Sequence, residues 1–263
     1  MKRIISVILC FACICMLLTA CTEDKPDPAK VINSALERTA ALNSINAEVE
    51  MNIDLMSNGV TVTIPMTMTC KGVDLQSESP RAAAVMEMSA MGVSIEMEMY
   101  MEDEWIYVNA FGSGLKINAD AYEAANGSIK TGADYLETLP EEILKDVELI
   151  ANSDGSQTAT VSVPNDVFTT LFEDLIDSAN STASTDAESV TVNNAMIVMT
   201  IKDGYIVTYD ISFEMVIENS GESITAKVSA KTKYNDPGMD VTITPPEGYQ
   251  SFVEVPVDSL VGA

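Results

Sequence analysis

The sequence predicts an α+β fold built on one large, curved antiparallel sheet. Segments in which apolar and polar residues alternate recur about ten times along the chain, as expected for half-buried strands. About three segments have the spacing of amphipathic helices, and they are grouped instead of alternating with the strands. Long strands with one polar and one apolar face imply that water covers the outside of the sheet and that helices cover the inside.

The first twenty residues have the layout of a secretory signal peptide. Lys2 and Arg3 are followed by an almost wholly apolar run over residues 4–18. This run is shorter than the roughly 20 residues that a membrane-spanning helix needs, so we predict that it is removed. The predicted organisation is a signal peptide at 1–20, a tether at 21–27, one folded domain at 28–250 and a C-terminal tail at 251–263.

The segment Leu18-Thr19-Ala20-Cys21 resembles a bacterial lipobox, and a polar stretch, TEDKPDP, follows it directly. This resemblance implies that Cys21 is acylated and that the chain is anchored to the outer face of the bacterial cytoplasmic membrane. Stable anchoring takes two or more acyl chains, which lipoprotein modification supplies. The alternative is an ordinary signal peptide that contains a cysteine.

Composition limits the partners of the predicted mature chain. Asp and Glu number 40 against 14 Lys and Arg, and removal of Lys2 and Arg3 takes the net charge from −26 to −28. Such a surface repels nucleic acid, which we therefore exclude as a partner. Cys10, Cys13 and Cys15 leave with the signal peptide, and Cys70, in a strand-like run, is expected to be a small buried apolar residue.

The first half of the folded domain is predicted to be one helix followed by a meander. Asp27 suits a helix N-cap and Pro28 the first helical position, so a helix is expected over 28–43. Asn58-Gly59 between two alternating runs predicts a tight β-hairpin, and Pro65 predicts an edge or a bulge in the second strand. The predicted strands cover 45–55, 60–68, 85–90, 93–101, 104–109 and 115–118.

The second half combines helices with longer strands. Residues 119–145 have weak helical character, with a capping box at 138–141, and an apolar stripe predicts a helix from 167 to 179. The stretch SANSTASTDA at 178–187 is typical of a loop. The predicted strands cover 147–151, 157–163, 195–201, 205–217, 223–234 and 239–244, the last of which stops at Pro245-Pro246.

Six methionines fall within residues 86–101, mostly at every second position. Three interpretations are open: filling of an irregular core, a thioether site for Cu(I), and a soft lining for a flexible apolar ligand. Alternation puts Glu87, Glu96 and Glu98 on the opposite face and argues against a metal cluster. The candidate lining is Met86, Met88, Val93, Ile95, Met97, Met99 and Met101, and the candidate opposing wall is Phe168, Leu171, Phe172 and Leu175.

The residue types exclude most catalytic chemistry. The chain has no histidine, which removes Ser-His-Asp and Cys-His catalysis and histidine-based zinc sites. The nucleophile-elbow, P-loop and dinucleotide-binding motifs are also absent from the sequence. We therefore predict that the protein is not an enzyme and that it uses no metal and no cofactor.

The whole layout resembles a family of bacterial lipoproteins. A lipobox, a tether, an amphipathic helix, a strand that begins SINAEV at Ser44 and a long meander together look like LolA-like and LppX/LprG-like lipoproteins. This resemblance implies a half-barrel of antiparallel strands with helices across the open side, and a role in binding lipid. It rests on layout and carries over no individual ligand-binding residue.

Two functional hypotheses follow from the sequence. The first is a membrane-anchored extracytoplasmic lipoprotein that binds a lipid or another lipophilic ligand between sheet and helices, without catalysis. The alternative is a cell-envelope module for protein interaction or structure, with a filled core and no ligand. Neither hypothesis identifies a protein partner.

Overall fold

The computed structural model describes residues 27–90, 92–126, 138–171, 189–219 and 222–256. Within these ranges twelve strands form one open, mostly antiparallel sheet, so the α+β class is confirmed and the sheet is larger than predicted. The strands are β1 (Ser44–Ser57), β2 (Val60–Val73), β3 (Arg81–Ala90), β4 (Val93–Glu102), β5 (Trp105–Ala110), β6 (Ser113–Asn118), β7 (Leu149–Ala151), β8 (Gln157–Ser162), β9 (Ser189–Lys202), β10 (Tyr205–Asn219), β11 (Glu222–Tyr234) and β12 (Val253–Glu254).

The strand order shows two meanders joined at one seam. β1 to β6 are successive neighbours, as are β7 to β11, and the pairing of β1 with β11 unites the two groups. β12 pairs with β6 in the parallel sense and forms one edge of the sheet. The short strand β7 forms the other edge, so both edges of this open sheet are brief.

Four helices are described: α1 (Pro28–Ala40), α2 (Ala119–Asn126), α3 (Glu141–Leu144) and α4 (Asn165–Leu171). The predicted start of α1 is confirmed, because the Asp27 side chain accepts a hydrogen bond from the Ala29 N–H at 3.1 Å and Pro28 lies in the first turn. The helix ends at Ala40, earlier than predicted. The helix predicted from 167 begins at Asn165, and its predicted part beyond residue 171 lies outside the described residues.

The first hairpin forms as the sequence predicts. Asn58 and Gly59 have φ values of 51° and 79°, the two left-handed positions that a tight turn of this type requires. The register of β2 with β1 has no bulge, but Pro65 lies at a local edge, because it has a partner on β1 and none on β3. Pro65 is tolerated because the pairing of β2 with β3 starts only at Met66, so no ladder bond to β3 is needed.

Two local predictions are wrong. Residues 239–244 form no strand, and β11, the strand that precedes them, is already paired on both sides with β1 and β10. The predicted capping box at 138–141 does not form: α3 begins after Pro140 with no side-chain cap. The backbone of Leu139 instead bonds the side chain of Asn33, with both N···O distances at 3.0 Å.

The packed core lies between the helices and the β8 to β10 part of the sheet. α1 packs on β10, α3 on β8 and α4 on β9. Removal of these apolar side chains from water stabilises the fold by about 25 cal/mol per Å² of buried surface. The largest fully buried side chains of this region are Ile32, Leu36, Thr39, Leu144, Val161, Phe168, Ile197, Met199 and Ile206.

The opposite face of β1, β11 and β10 carries alternating charges. Lys227 and Lys231 of the central strand β11 lie between acidic residues of both neighbours, and Lys233 lies between Glu48 and Thr208. Two of these lysines form ion pairs, with N···O distances of 3.6 Å and 3.7 Å. The acidic residues opposite them are Glu48, Glu50 and Asp54 on β1 and Asp210 and Glu214 on β10.

Candidate ligand-binding face

The register of β1 to β5 brings apolar side chains of five strands to one face of the sheet. Residues directly opposite each other on paired strands project to the same side, so successive pairings define rows that cross the sheet. The rows are Met51, Met66, Met88 and Ile95; Val49, Met68, Met86, Met97 and Ala110; Ala47, Cys70, Ala84, Met99 and Val108; and Gly72, Ala82, Met101 and Ile106.

Methionine dominates these rows. We use the name methionine face for the eight side chains Met51, Met66, Met68, Met86, Met88, Met97, Met99 and Met101. All eight are partly exposed. On β9, by contrast, the side chains of Ile197 and Met199 lie on the same side of the sheet and are 0% exposed.

The described helices explain this difference between the two halves of the sheet. Their main contacts are with β6, β8, β9 and β10. Within the part of the chain that the structure describes, the methionine face therefore has no share in the packed core under the helices. Half of one apolar face is protein core, and on the other half the methionines are partly exposed.

The opposite face of the same strands is polar. Glu87 lies opposite Glu96, and Glu98 accepts a hydrogen bond from the Asn109 side chain at 2.8 Å. Thr61, Thr63, Thr67 and Thr69 continue this exposed face along β2. Methionines and glutamates thus lie on opposite sides of β3 and β4, as the alternation predicts.

The remaining candidate lining residues lie in different surroundings. Ile95 belongs to the apolar rows, and Val93, beside the turn between β3 and β4, is 59% exposed. Phe168 is fully buried and packs on Phe213 with ring centroids 4.9 Å apart, so its ring is part of the core. Leu171 ends α4. The Leu171 side chain, Phe172, Leu175 and Cys21 lie outside the described residues.

Sequence reasoning from one methionine-rich segment missed part of this face. Met51, Met66 and Met68 belong to the same rows although they lie 18 or more positions earlier in the chain than Met86. The alternation of apolar and polar residues along β1 and β2 could have indicated them, because all three methionines occupy apolar positions of these strands. Cys70 lies among them, half-buried, and burial raises the pKa of its thiol above the usual value.

The polar face carries an aromatic cluster under the C-terminal segment. The Tyr249 ring lies 5.3 Å from the Tyr100 ring and 4.9 Å from the Tyr107 ring, both nearly edge-on. Tyr100 is only 3% exposed, and its burial, with the charge of Glu102, raises its pKa to about 12. The Tyr249 hydroxyl donates a hydrogen bond to Glu102 at 3.2 Å. This cluster fixes the C-terminal segment on the outside of β4 and β5.

One open cavity of about 370 Å³ lies between α1 and the turns before β8 and β10. Lys30 and Arg38 border it together with Asp203, so charges of both signs share its rim. The Arg38 guanidinium lies 4.4 Å from the centre of the Tyr205 ring, which holds it in place. The mixed rim gives this cavity no clear ligand chemistry.

The described ranges lack two further features. They contain no group of three side chains from Asp, Glu, Cys and His that is arranged to hold a metal ion. They also contain no helix with both the length and the apolar character needed to cross a bilayer.

The fold and the methionine face define a class, an α+β protein with an open sheet. Helices pack on one half of the apolar face of this sheet. The other half of that face is not covered by the described helices. The chain belongs to the family of unknown function called DUF6612, whose model matches residues 27–246. No curated protein matches the chain.

Several solved structures match most of the chain at low sequence identity. LprF from Mycobacterium bovis is 13% identical with a TM-score of 0.46, over 85% of this chain and 99% of that chain. A DUF1329 family protein from Desulfovibrio piger is 12% identical with a TM-score of 0.28, over 81% and 95%. A candidate outer membrane lipoprotein-sorting domain from Vibrio parahaemolyticus is 11% identical with a TM-score of 0.20, over 80% and 94%. Two of these matches, LprF and the lipoprotein-sorting domain, are named as the kinds of protein that the sequence layout resembles.

Proposed function

We propose that the protein is an extracytoplasmic lipoprotein that holds a lipid or another lipophilic molecule against the methionine face, without catalysing a reaction. The observation that supports this proposal is the division of one apolar sheet face into a packed half and a partly exposed methionine half. Large exposed apolar patches on proteins mark sites of interaction, because they are otherwise unfavourable in water.

The size of the face suits an acyl chain. Strands lie about 4.8 Å apart and rise about 3.3 Å per residue, so β1 to β5 and the span from Ile95 to Met101 enclose roughly 19 by 20 Å. This offers on the order of 300 to 400 Å² of contact, or about 7 to 10 kcal/mol of gross stabilisation before the entropic cost of binding. The ligand buries a similar area of its own, so the gross figure is about twice this and permits micromolar retention after that cost without any polar anchor.

Methionine suits a ligand of variable shape better than the branched residues that strands usually carry. Its side chain is unbranched and its sulfur is polarisable, so a surface rich in methionine repacks around different apolar partners. Val and Ile have restricted rotamers and would give the surface a more fixed shape. We infer that the face accommodates flexible chains by changing side-chain rotamers while the backbone stays in place.

The predicted anchor completes the proposal. Acylation of Cys21 would attach the chain to the outer face of the cytoplasmic membrane, and residues 22–27 would keep the folded part close to the bilayer. An anchor of this kind places a lipid-binding face within reach of membrane lipids. Mass analysis of the membrane-extracted protein tests the anchor separately from ligand binding, because an unmodified Cys21 contradicts only the anchor.

Native mass spectrometry of a soluble Cys21→Ser form tests the ligand directly. We expect a population whose mass exceeds that of the protein by one lipid and which loses that mass after extraction with organic solvent. A single ligand-free mass, together with an experimental structure in which protein side chains fill the methionine face, would contradict the proposal. That result would favour the alternative of an interaction module with a filled core.

A matched pair of variants locates the binding face. Met86→Gln places a polar amide among the methionines, whereas Val85→Gln places the same group on the opposite face, where Val85 is 38% exposed. An unsatisfied amide against an acyl chain costs about 1 to 3 kcal/mol, or roughly a factor of 5 to 150 in affinity. We expect Met86→Gln to weaken displacement of an apolar fluorescent dye by oleate and Val85→Gln to leave it unchanged. Equal effects from both variants would place the site elsewhere.

A further inference from the structure

We propose that the methionine face is a site of oxidative modification and that conversion of its thioethers to sulfoxides releases the bound lipid. This inference rests on the proposed function. It adds a chemical control of the same site, exerted by peroxides or related oxidants that transfer one oxygen atom.

The first support is the concentration of oxidisable sulfur. Eight of the 16 methionines of the chain lie on four adjacent strands and on one side of them. Met51, Met66 and Met88 are direct neighbours across three strands, as are Met68, Met86 and Met97. Aliphatic residues of similar size would give an apolar face without this reactivity, so the choice of methionine makes the site oxidisable.

The second support is exposure. All eight side chains are partly exposed without a ligand, so an oxidant reaches their sulfur atoms wherever the lipid covers them incompletely or dissociates. Met199 projects from the same side of the sheet but is 0% exposed in the core. Met199 is therefore an internal control, a protected thioether in the same protein as the accessible ones.

The chemical step is simple and balanced. The sulfur of a methionine donates an electron pair to the terminal oxygen of a hydroperoxide, an S–O bond forms and the O–O bond breaks. The thioether is oxidised to a sulfoxide, and the peroxide is reduced to an alcohol, or to water for hydrogen peroxide, which retains the proton. Methionine sulfoxide reductases reverse the change, so the modification is not terminal.

The surroundings explain why a sulfoxide would expel an acyl chain. The new oxygen accepts hydrogen bonds, but the side chains directly opposite these methionines are Met, Ile, Val and Ala, which donate none. A sulfoxide covered by lipid would therefore stay unsatisfied, at a loss of about tenfold in affinity for each group left in contact. The backbone ladder takes no part, so the sheet should stay folded.

The test uses the lipid-loaded Cys21→Ser, Cys70→Ala protein, in which neither predicted mature cysteine can react. Graded hydrogen peroxide is applied, peptide mass spectrometry locates each added oxygen, and native mass spectrometry measures retained lipid. We expect sulfoxides on the methionine face while Met199 stays unmodified, and at least a tenfold loss of affinity for oleate in the oxidised protein. Far-ultraviolet circular dichroism should be unchanged.

Paired leucine variants separate this face from general oxidation. Met86→Leu with Met97→Leu conserves volume on the face and should reduce the peroxide-induced loss of lipid. Met196→Leu with Met239→Leu removes two methionines that are 41% and 65% exposed outside the face, and should not protect. Sulfoxides on the face with lipid affinity unchanged, or no sulfoxide there while Met239 is oxidised, would overturn this inference alone. Absence of lipid before oxidation would refute the proposed function as well.

Discussion

Thr39 offers a direct test of how α1 is joined to the sheet. Its hydroxyl oxygen accepts a hydrogen bond from the Ile206 N–H at 2.9 Å and donates one to the Ala35 carbonyl at 2.7 Å. Both Thr39 and Ile206 are 0% exposed. Thr39→Val keeps the shape of the side chain but leaves the Ile206 N–H, at the start of β10, without an acceptor.

The expected magnitude follows from this burial. An unsatisfied buried donor costs about 1 to 3 kcal/mol, so Thr39→Val should lower the free energy of unfolding by that amount. Thr39→Ser is the matched control, since it keeps both hydrogen bonds and loses one methyl group, at about 1 kcal/mol. Urea denaturation measures both variants, and the slope with denaturant should not change.

Amide hydrogen exchange distinguishes loss of the hydrogen bond from loss of the methyl group. The Ile206 amide should exchange faster in the Thr39→Val variant and keep its protection in Thr39→Ser, after correction for global stability. A Thr39→Val variant as stable as the wild type, with the Ile206 amide still protected, would refute the inference that this hydroxyl joins helix to sheet.

Three further predictions concern the core and two carboxyl groups. Phe168→Ala should lower the free energy of unfolding by about 3 to 5 kcal/mol in urea denaturation, because it leaves a cavity under α4. Hydrogen bonds from the side chain and backbone of Ser156 lower the pKa of Asp154 to about 2, so its carboxylate stabilises the fold above the unfolded pKa and loses this effect as the pH falls towards 2. Asp154→Asn should therefore lower the Tm at pH 7 and have no effect near pH 2 in thermal scans. Burial raises the pKa of Asp210 despite the attraction of Lys231, and one carboxylate oxygen is buried without a partner. The charged form is then destabilising, so Asp210→Asn should raise the Tm at pH 7, a gain that disappears below pH 4 in the same scans.

Much of the fold could be predicted because its signals are local. The start of α1 depends on Asp27 and Pro28, and the first hairpin depends on Asn58 and Gly59, which are adjacent residues with defined conformational preferences. The facing of Met86 away from Glu87 likewise follows from the period of a strand. Each of these features is determined by residues within one element.

The incorrect predictions depended on distant partners. The alternation at 239–244 suits a strand, but a strand also needs a partner, and the preceding strand β11 is paired on both sides. β12 has only two residues and pairs with β6 far earlier in the chain, so no local period could indicate it. Leu139 lies beside Asn33, 106 residues away, and this contact replaces the expected cap of α3.

The same reasoning applies to the candidate site. Alternation predicts which side chains share a face of one strand, but it does not say which part of that face the helices cover. Phe168 illustrates the point, since its place in an apolar stripe is equally suited to a lining or a core, and packing on Phe213 puts it in the core. The methionine face depends on the order of β1 to β4 in the sheet, which the alternation within each strand does not determine.

The seam between β1 and β11 has a consequence for how the chain folds. It joins segments at opposite ends of the folded region: the Asn235 side chain bonds Glu48, 187 residues away. The two meanders can form from near neighbours, but closing the seam requires bringing distant segments together, with a large loss of chain entropy. We expect this closure to limit the folding rate. During synthesis from the N-terminus, β1 would expose an unpaired edge until almost the whole chain is available, which makes that edge the point most vulnerable to misassembly.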